Sequence, residues 1–207
     1  GVPKIPNPFR YKFSWSPAGV LKALKSPSKS IKNGEIWDVE RPWDAITRYT
    51  APLPEPEEFE VYPNRDSLPF LKQYHFNPDW HVNQFVRGTL RLDGWSKAWS
   101  NVFNEIENLT FPEGDTRLQE MSNEFWAENA YEENEPDRVI LCVSLSAKSN
   151  SETLYHKSYV LDAWGTQESS AMARLVSIPV ATAVEAIKNG EIKSGVTSAP
   201  DLSLIHI

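Results

Sequence analysis

Two hydrophobic periods alternate along this chain, and the switches between them mark its elements. Tyr11 to Ser16 alternates aromatic and polar residues, the pattern of a strand entering a turn. Pro17 suits the first position of a helix, and Val20, Leu21 and Leu24 then share one face until Ser26-Pro27 ends it. Asn33-Gly34 is a turn signal, followed by a short strand from Glu35 to Val39. Ala51 to Glu58, rich in proline and glutamate, reads as a surface loop. Glu58 to Tyr62 alternates as a strand that Pro63-Asn64 stops, and Gln84 to Leu92 alternates again. The period then lengthens. Trp95, Trp99, Val102, Phe103 and Ile106 predict a helix over Ser96 to Leu109, and Leu118, Met121, Phe125 and Trp126 another over Thr116 to Glu133. Asp137 to Lys148 and Thr153 to Trp164 are rich in strand formers, and Ser149-Asn150-Ser151 between them predicts an antiparallel hairpin. Ser169 to Asn189 reads as a helix kinked at Pro179, capped at Asn189-Gly190, with a further strand starting over Ile192 to Val196. The sum is an α+β domain over residues 1–201: a mixed, largely antiparallel sheet with helices on one face and a short helical insertion at about 95–135.

Composition narrows the class. The chain has 207 residues, 40% apolar and 24% charged, which is ordinary for a globular domain able to bury its own core. A net charge of −7 lacks the basic footprint of a nucleic-acid binder, so no nucleic acid is expected as partner. No apolar run reaches the roughly 18 residues of a membrane span, so no membrane is expected either. With one cysteine, Cys142, inside the apolar run Val139 to Val143, an intrachain disulfide is impossible and the thiol reads as a small buried hydrophobe. A reducing, cytoplasmic compartment fits this usage. The chain begins at Gly1 without Met, as an internal cut would leave it. Leu202 to Ile207 reads like a translated sequencing-library adapter and is set aside as a non-native tail, with the native chain expected to run on past Asp201. Asn108-Leu109-Thr110 is a glycosylation sequon by chance, since no signal peptide is visible.

Familiar catalytic motifs are missing: the sequence has no G-x-G-x-x-G, no phosphate-binding glycine loop and no G-x-S-x-G, and His75 and His81 have no metal-ligand spacing. The informative residues are arginines. Arg65 follows a proline turn at a strand end. Arg87, Thr89 and Arg91 alternate within one predicted strand, so they share a face, with Val86, Gly88 and Leu90 turned toward a core. Guanidinium forks on a common face can grip carboxylates bidentately, and Gly88 would let another backbone approach. Spacing alone favours a solvated face with surface ion pairs. Ser14 and Ser16 precede a helix N-terminus, where capping and anion binding both occur, capping more often.

Taken together and in order, these segments resemble one family. Asn7 to Pro17 resembles the N-P-L-x-Y-K-F-S-W-S-P stretch of saccharopine dehydrogenases, Tyr62 to Ser67 their Y-P-N-R-D-S, and Arg87 to Arg91 their R-G-T-L-R. Glu168 to Ala173 and Ile178 to Ala181 are similar to the family's S-S-M-A and Y-P-V-A helix, and Asn189 to Val196 to its D-G-x-I-x-x-G-V strand. The resemblance implies the substrate-binding and dimerisation part of a two-domain oxidoreductase whose N-terminal Rossmann domain is not in this chain. It implies interconversion of saccharopine with glutamate and aminoadipate semialdehyde in lysine metabolism, NADP or NAD as cofactor held mainly by that missing domain, and a homodimer. By the same resemblance Arg65, Thr89, Leu90 and Arg91 contact substrate and Ser16 contacts cofactor, with no acid-base residue in this chain. It also implies that the chain alone does not catalyse, and the lack of a phosphate-binding glycine motif predicts no measurable nucleotide binding by it. Leu92-Asp93-Gly94 keeps the glycine that follows R-G-T-L-R but loses the usual tyrosine, and the helical insertion is short. Two alternatives stay open: a non-catalytic dimerisation scaffold, and a relative acting on another amino acid-aldehyde conjugate such as a carboxyspermidine.

Overall fold

The computed structural model describes residues 2–110, 112–192 and 194–195. The helices are α1 (Pro17–Lys25), α2 (Pro69–Gln73), α3 (Trp95–Ala98), α4 (Ser100–Glu107), α5 (Glu113–Asn129) and α6 (Ala171–Lys188). The strands are β1 (Ser28–Lys32), β2 (Glu35–Val39), β3 (Thr47–Ala51), β4 (Glu57–Pro63), β5 (Gln84–Phe85), β6 (Gly88–Leu92), β7 (Arg138–Ser149) and β8 (Glu152–Trp164). The mixed class and antiparallel pairing follow the sequence pattern. The strands are divided, however, among three small sheets, β2-β1-β5, β3-β4-β6 and β7-β8, where the sequence predicts one.

The aromatic residues explain the N-terminal half. Tyr11 to Ser16 is not a strand; Phe13 makes a single bridge to Ala130, its N–H donating to the Asn129 carbonyl at 2.8 Å. The alternation there has another cause: Tyr11 and Phe13 plunge into a core built with Leu21, Leu24, Tyr62, Trp95, Trp99, Phe103 and Ile106. Trp95 and Trp99 are fully buried, and the Trp99 indole N–H reaches the Phe9 carbonyl at 2.9 Å. The helix predicted over Ser96 to Leu109 is α3 and α4, meeting at Trp99, and α5 begins and ends earlier than the predicted Thr116 to Glu133. α1 starts at Pro17 and buries Val20, Leu21 and Leu24 against this core. Each such aromatic or leucine side chain contributes roughly 1.5–3 kcal/mol by leaving water.

The β3-β4-β6 sheet divides two cores. Along β4, Phe59 faces a smaller core with Ala51, Leu53 and Leu92, and Tyr62 faces the aromatic one. Leu90, Ile140 and Cys142 pack partly buried against the smaller core. The Cys142 thiol is therefore partly, not wholly, buried, and burial pushes it above the ordinary thiol range. Strands β1 and β3 fall on stretches with no clear alternation and escape the sequence reading.

β7 and β8 form the predicted hairpin. Asn150 and Ser151 take positive φ of 46° and 70°, the conformation of a type I′ turn, and so form the tight turn between the two long strands. Past the hairpin, Asp137 anchors α6. Its carboxylate accepts from the Ala171 N–H at 2.6 Å and the Met172 N–H at 2.9 Å, and the Ser170 hydroxyl accepts from the Ala173 N–H at 3.1 Å. A Cβ at Gly165 would lie 2.4 Å from that carboxylate, so only glycine fits there. α6 runs through Pro179. The strand expected over Ile192 to Val196 falls largely outside the described residues, as does the tail over 202–207.

Candidate functional site

The strand expected from Gln84 to Leu92 is broken. β5 pairs with β1, whereas β6 pairs with β4, and Val86-Arg87 belongs to neither. The break undoes the shared face of Arg87 and Arg91, because alternation holds only within an unbroken strand. Val86 does not face a core but is 44% exposed. The exposed Arg87 guanidinium sits over the Phe70 ring, 3.6 Å from its centroid. Gly88 does admit another backbone: a Cβ there would lie 3.1 Å from the Tyr62 carbonyl oxygen.

Within β6 alternation survives. Thr89 and Arg91 face the aromatic core side, while Leu90 and Leu92 face the smaller core. The half-buried Arg91 guanidinium sits among three rings, with centroids at 4.8 Å for Tyr11, 5.3 Å for Trp95 and 5.5 Å for Tyr62. Its Nη2 donates to the Tyr62 hydroxyl at 2.9 Å and its Nη1 to the Leu90 carbonyl at 3.2 Å, while its buried Nε has no partner among the described residues. Glu60 stands opposite Arg91 in the β4–β6 register, but its carboxylate is spent elsewhere. It accepts from the Gly94 N–H at 3.1 Å, the Ser96 N–H at 2.6 Å and the Ser96 hydroxyl at 3.0 Å, holding the start of α3.

Other arginines show what Arg91 lacks. Arg41, Arg48, Arg117 and Arg138 each pair with at least two carboxylates. Arg10 and Arg174 give their forks to the Asp93 and Trp164 carbonyls. A partly desolvated cation without a counter-charge is costly unless an anion arrives. The three rings favour the cation through their faces but leave its hydrogen-bonding edge open.

Arg65 holds a left-handed φ of 56° on the turn after β4, and its side chain is exposed. Its carbonyl accepts from the Lys29 N–H at 3.0 Å, and the neighbouring Asn64 N–H donates to the Arg87 carbonyl at 2.9 Å. The Y-P-N-R-D-S turn is thus tied to β1 and to the residue before β6. The fully buried Ser67 completes the tie, accepting from the Arg87 N–H at 3.0 Å. Ser16 precedes α1 but does not cap it; its side chain makes no cap bond and is exposed. Ser122 of α5 supplies the acceptor instead, 3.0 Å from the Ala18 N–H. The more frequent capping role is therefore not the one Ser16 plays.

Sequence reasoning missed Tyr11, Tyr62 and Trp95 as members of the site. Tyr11 and Tyr62 lie inside the family's motifs, but only the β4–β6 register, which sets Tyr62 opposite Thr89, and the packing of the aromatic core, which brings in Tyr11, reveal their positions. Burial pushes the Tyr62 phenol above its ordinary range, and the adjacent Arg91 charge opposes this only in part. A separate open pocket of about 380 Å³ is lined by Phe13, Ser14, Trp126, Tyr131 and neighbouring loop residues, and includes none of these side chains. Among the described residues no helix is long and apolar enough to cross a membrane.

The profile of the saccharopine dehydrogenase C-terminal domain family matches residues 1–203. The saccharopine dehydrogenase [NADP(+), L-glutamate-forming] of Pyricularia oryzae is 26% identical over 267 residues, covering 97% of this chain and 59% of that protein. The alpha-aminoadipic semialdehyde synthase of Arabidopsis thaliana is 38% identical over 98 residues, covering 46% of this chain and 9% of that protein. The solved apo saccharopine dehydrogenase (L-Glu forming) of Saccharomyces cerevisiae superposes with a TM-score of 0.72 at 24% identity, covering 95% of this chain and 58% of that one. The chain spans less than two thirds of each of these relatives.

Proposed function

Since this chain belongs to the saccharopine dehydrogenase C-terminal domain family, we propose that it is the substrate-orienting part of an oxidoreductase that interconverts saccharopine with glutamate and aminoadipate semialdehyde. The observation that carries this reading is Arg91: a guanidinium framed by three rings, with no carboxylate of its own and a buried, unpartnered Nε. Saccharopine offers three carboxylates, and a planar fork matches one of them bidentately. Thr89 shares the face of Arg91, and Leu90 lends its carbonyl to hold the fork. Arg65, exposed on the adjoining turn, is free to meet a second carboxylate.

The nicotinamide cofactor, NADP or NAD, would supply the hydride acceptor or donor. The sequence carries no glycine-rich phosphate-binding motif, but Ser16 fits a peripheral contact, because its exposed hydroxyl at the α1 N-terminus is not spent on capping. In this reading Arg91, Thr89, Leu90 and Arg65 bind and orient the substrate, and proton transfer is not assigned to them. Fixing the substrate's carboxylates against the reacting carbon is their contribution to rate.

The second part of the proposal is homodimerisation through the hairpin and α6. Leu141, Val143, Leu145, Tyr159 and Leu161 share one hairpin face in the β7–β8 register, and the first four are about half exposed. Val176, Val180, Val184 and Ile187 form an exposed stripe on α6. Apolar surface of this extent marks an association face.

Arg91→Lys in the complete protein tests the substrate reading. Lysine keeps the charge and loses the fork, and a hydrogen bond to a charged group is worth roughly 1.5–3 kcal/mol. The specificity constant for saccharopine is expected to fall about ten- to a hundredfold, with cofactor KM unchanged. An unchanged saccharopine constant removes Arg91 from the site.

A further inference from the structure

We infer that Tyr62 is a positioning residue, whose phenol oxygen holds the Arg91 fork and the Thr89 hydroxyl in one preset arrangement for a substrate carboxylate. The inference rests on the reading of Arg91 as a carboxylate receptor and adds the residue that makes the receptor rigid. Tyr62 is 3% exposed, and its ring stacks on Trp95 with centroids 5.3 Å apart and planes 14° from parallel. It stands opposite Thr89 in the β4–β6 register, and its burial against Trp95 confines the ring there. Its oxygen accepts from Arg91 Nη2 at 2.9 Å and also faces the Thr89 side chain. The two side chains that alternation turns to this face of β6 therefore converge on one phenol.

The donor count supports a preset fork. A guanidinium has five N–H donors. Tyr62 and the Leu90 carbonyl each take one, and the buried Nε takes no partner in the fold. A long arginine side chain that must be ordered at binding weakens the complex by the rotamer freedom it loses, and a fork ordered beforehand avoids that loss. Tyr11 at 4.8 Å and Trp95 at 5.3 Å, measured to their ring centroids, crowd the guanidinium. Tyr62 is the member of the cage that directs it through a hydrogen bond. The phenol itself touches no reacting atom in this scheme.

The test uses the complete protein and saccharopine. Tyr62→Phe keeps the ring and deletes the acceptor of one charge-assisted hydrogen bond; the freed fork can still meet the substrate, so only part of that bond is felt in binding and saccharopine KM is expected to rise roughly three- to tenfold. A purely structural role would not single out one substrate; kcat and cofactor KM should stay within about twofold. In the Arg91→Lys background the same change should add less than about twofold, because there is no longer a fork to hold. Three results overturn the inference: an unchanged saccharopine KM, a parallel rise in saccharopine and cofactor KM, or full additivity with Arg91→Lys. If Tyr62→Phe does not fold, 4-fluorophenylalanine placed at 62 fills the volume of the hydroxyl and accepts hydrogen bonds only feebly. A rise in saccharopine KM alone then supports the inference, and no rise overturns it. Arg91→Lys without effect removes the substrate reading itself, whereas Arg91→Lys with its expected loss beside a silent Tyr62→Phe removes only the role of Tyr62.

Discussion

The lobe around Trp95 and Trp99 and the β7–β8 hairpin with α6 are both rich in large apolar residues, yet they treat them oppositely. In the lobe, Phe13, Leu21, Leu24, Trp95, Trp99 and Ile106 are at most 1% exposed. In the hairpin and helix, Leu141 is 53% exposed, Tyr159 53%, Val180 59% and Ile187 62%. α6 buries only Ala171 and Ala186. A two-stranded ribbon has two faces and two edges to cover, and alone it is marginal in water. The lobe supplies its own cover because four helices and the N-terminal segment converge on it. The hairpin needs a surface that the described residues do not provide. The lesson is that a hydrophobic pattern reports a demand for burial and not the group that meets it.

The largest expected effect sharpens that contrast. Trp95→Ala leaves a cavity in a closed core and is expected to cost roughly 3–5 kcal/mol, whereas Leu141→Ala should cost under about 1 kcal/mol in the monomeric state. Urea unfolding of both variants checks this, and similar losses would break the contrast. Next in size is association. If the proposed dimer forms through the hairpin, Leu141→Lys with Val143→Lys should leave the fold intact and shift the complete protein to monomer by sedimentation velocity. If the dimer survives both lysines, the hairpin face is not the contact.

The smallest effect concerns Cys142, on the other face of β7 from Leu141. Burial raises its thiol pKa, so at pH 8 less of it is thiolate than in an ordinary cysteine, and the reactive form gains only as pH climbs further. Alkylation by iodoacetamide at pH 8 should run several-fold slower than for a free thiol, and faster reaction would mean that the hairpin opens.

Local chemistry made much of this legible in advance. Pro17 at a helix start, Asn150-Ser151 at a hairpin turn and the heptad-like spacing from Trp95 to Ile106 act over a few residues, and the structure keeps all three. The break at Val86-Arg87 was not legible, because nothing local says that β5 will pair with β1 and β6 with β4. That long-range choice separated Arg87 from Arg91 and sent Val86 to solvent. The capping of α1 was invisible for the same reason: Ser122, more than a hundred residues away, does what the adjacent Ser16 was positioned to do.

What the sequence determined by itself, then, is the class of the domain, the hairpin and the longer helices to within a few residues, and the motifs that mark its family, since these follow from side-chain period, turn conformation and residue order. Only the tertiary structure decided what surrounds the Arg91 guanidinium. Tyr11, Tyr62 and Trp95 come from three separate stretches, and Glu60, the carboxylate nearest in register, is drawn away to the start of α3. Whether an arginine is a surface ion pair or an anion receptor depends on which charges pack against it, and that is settled by strand pairing across the fold and not by neighbours along the chain.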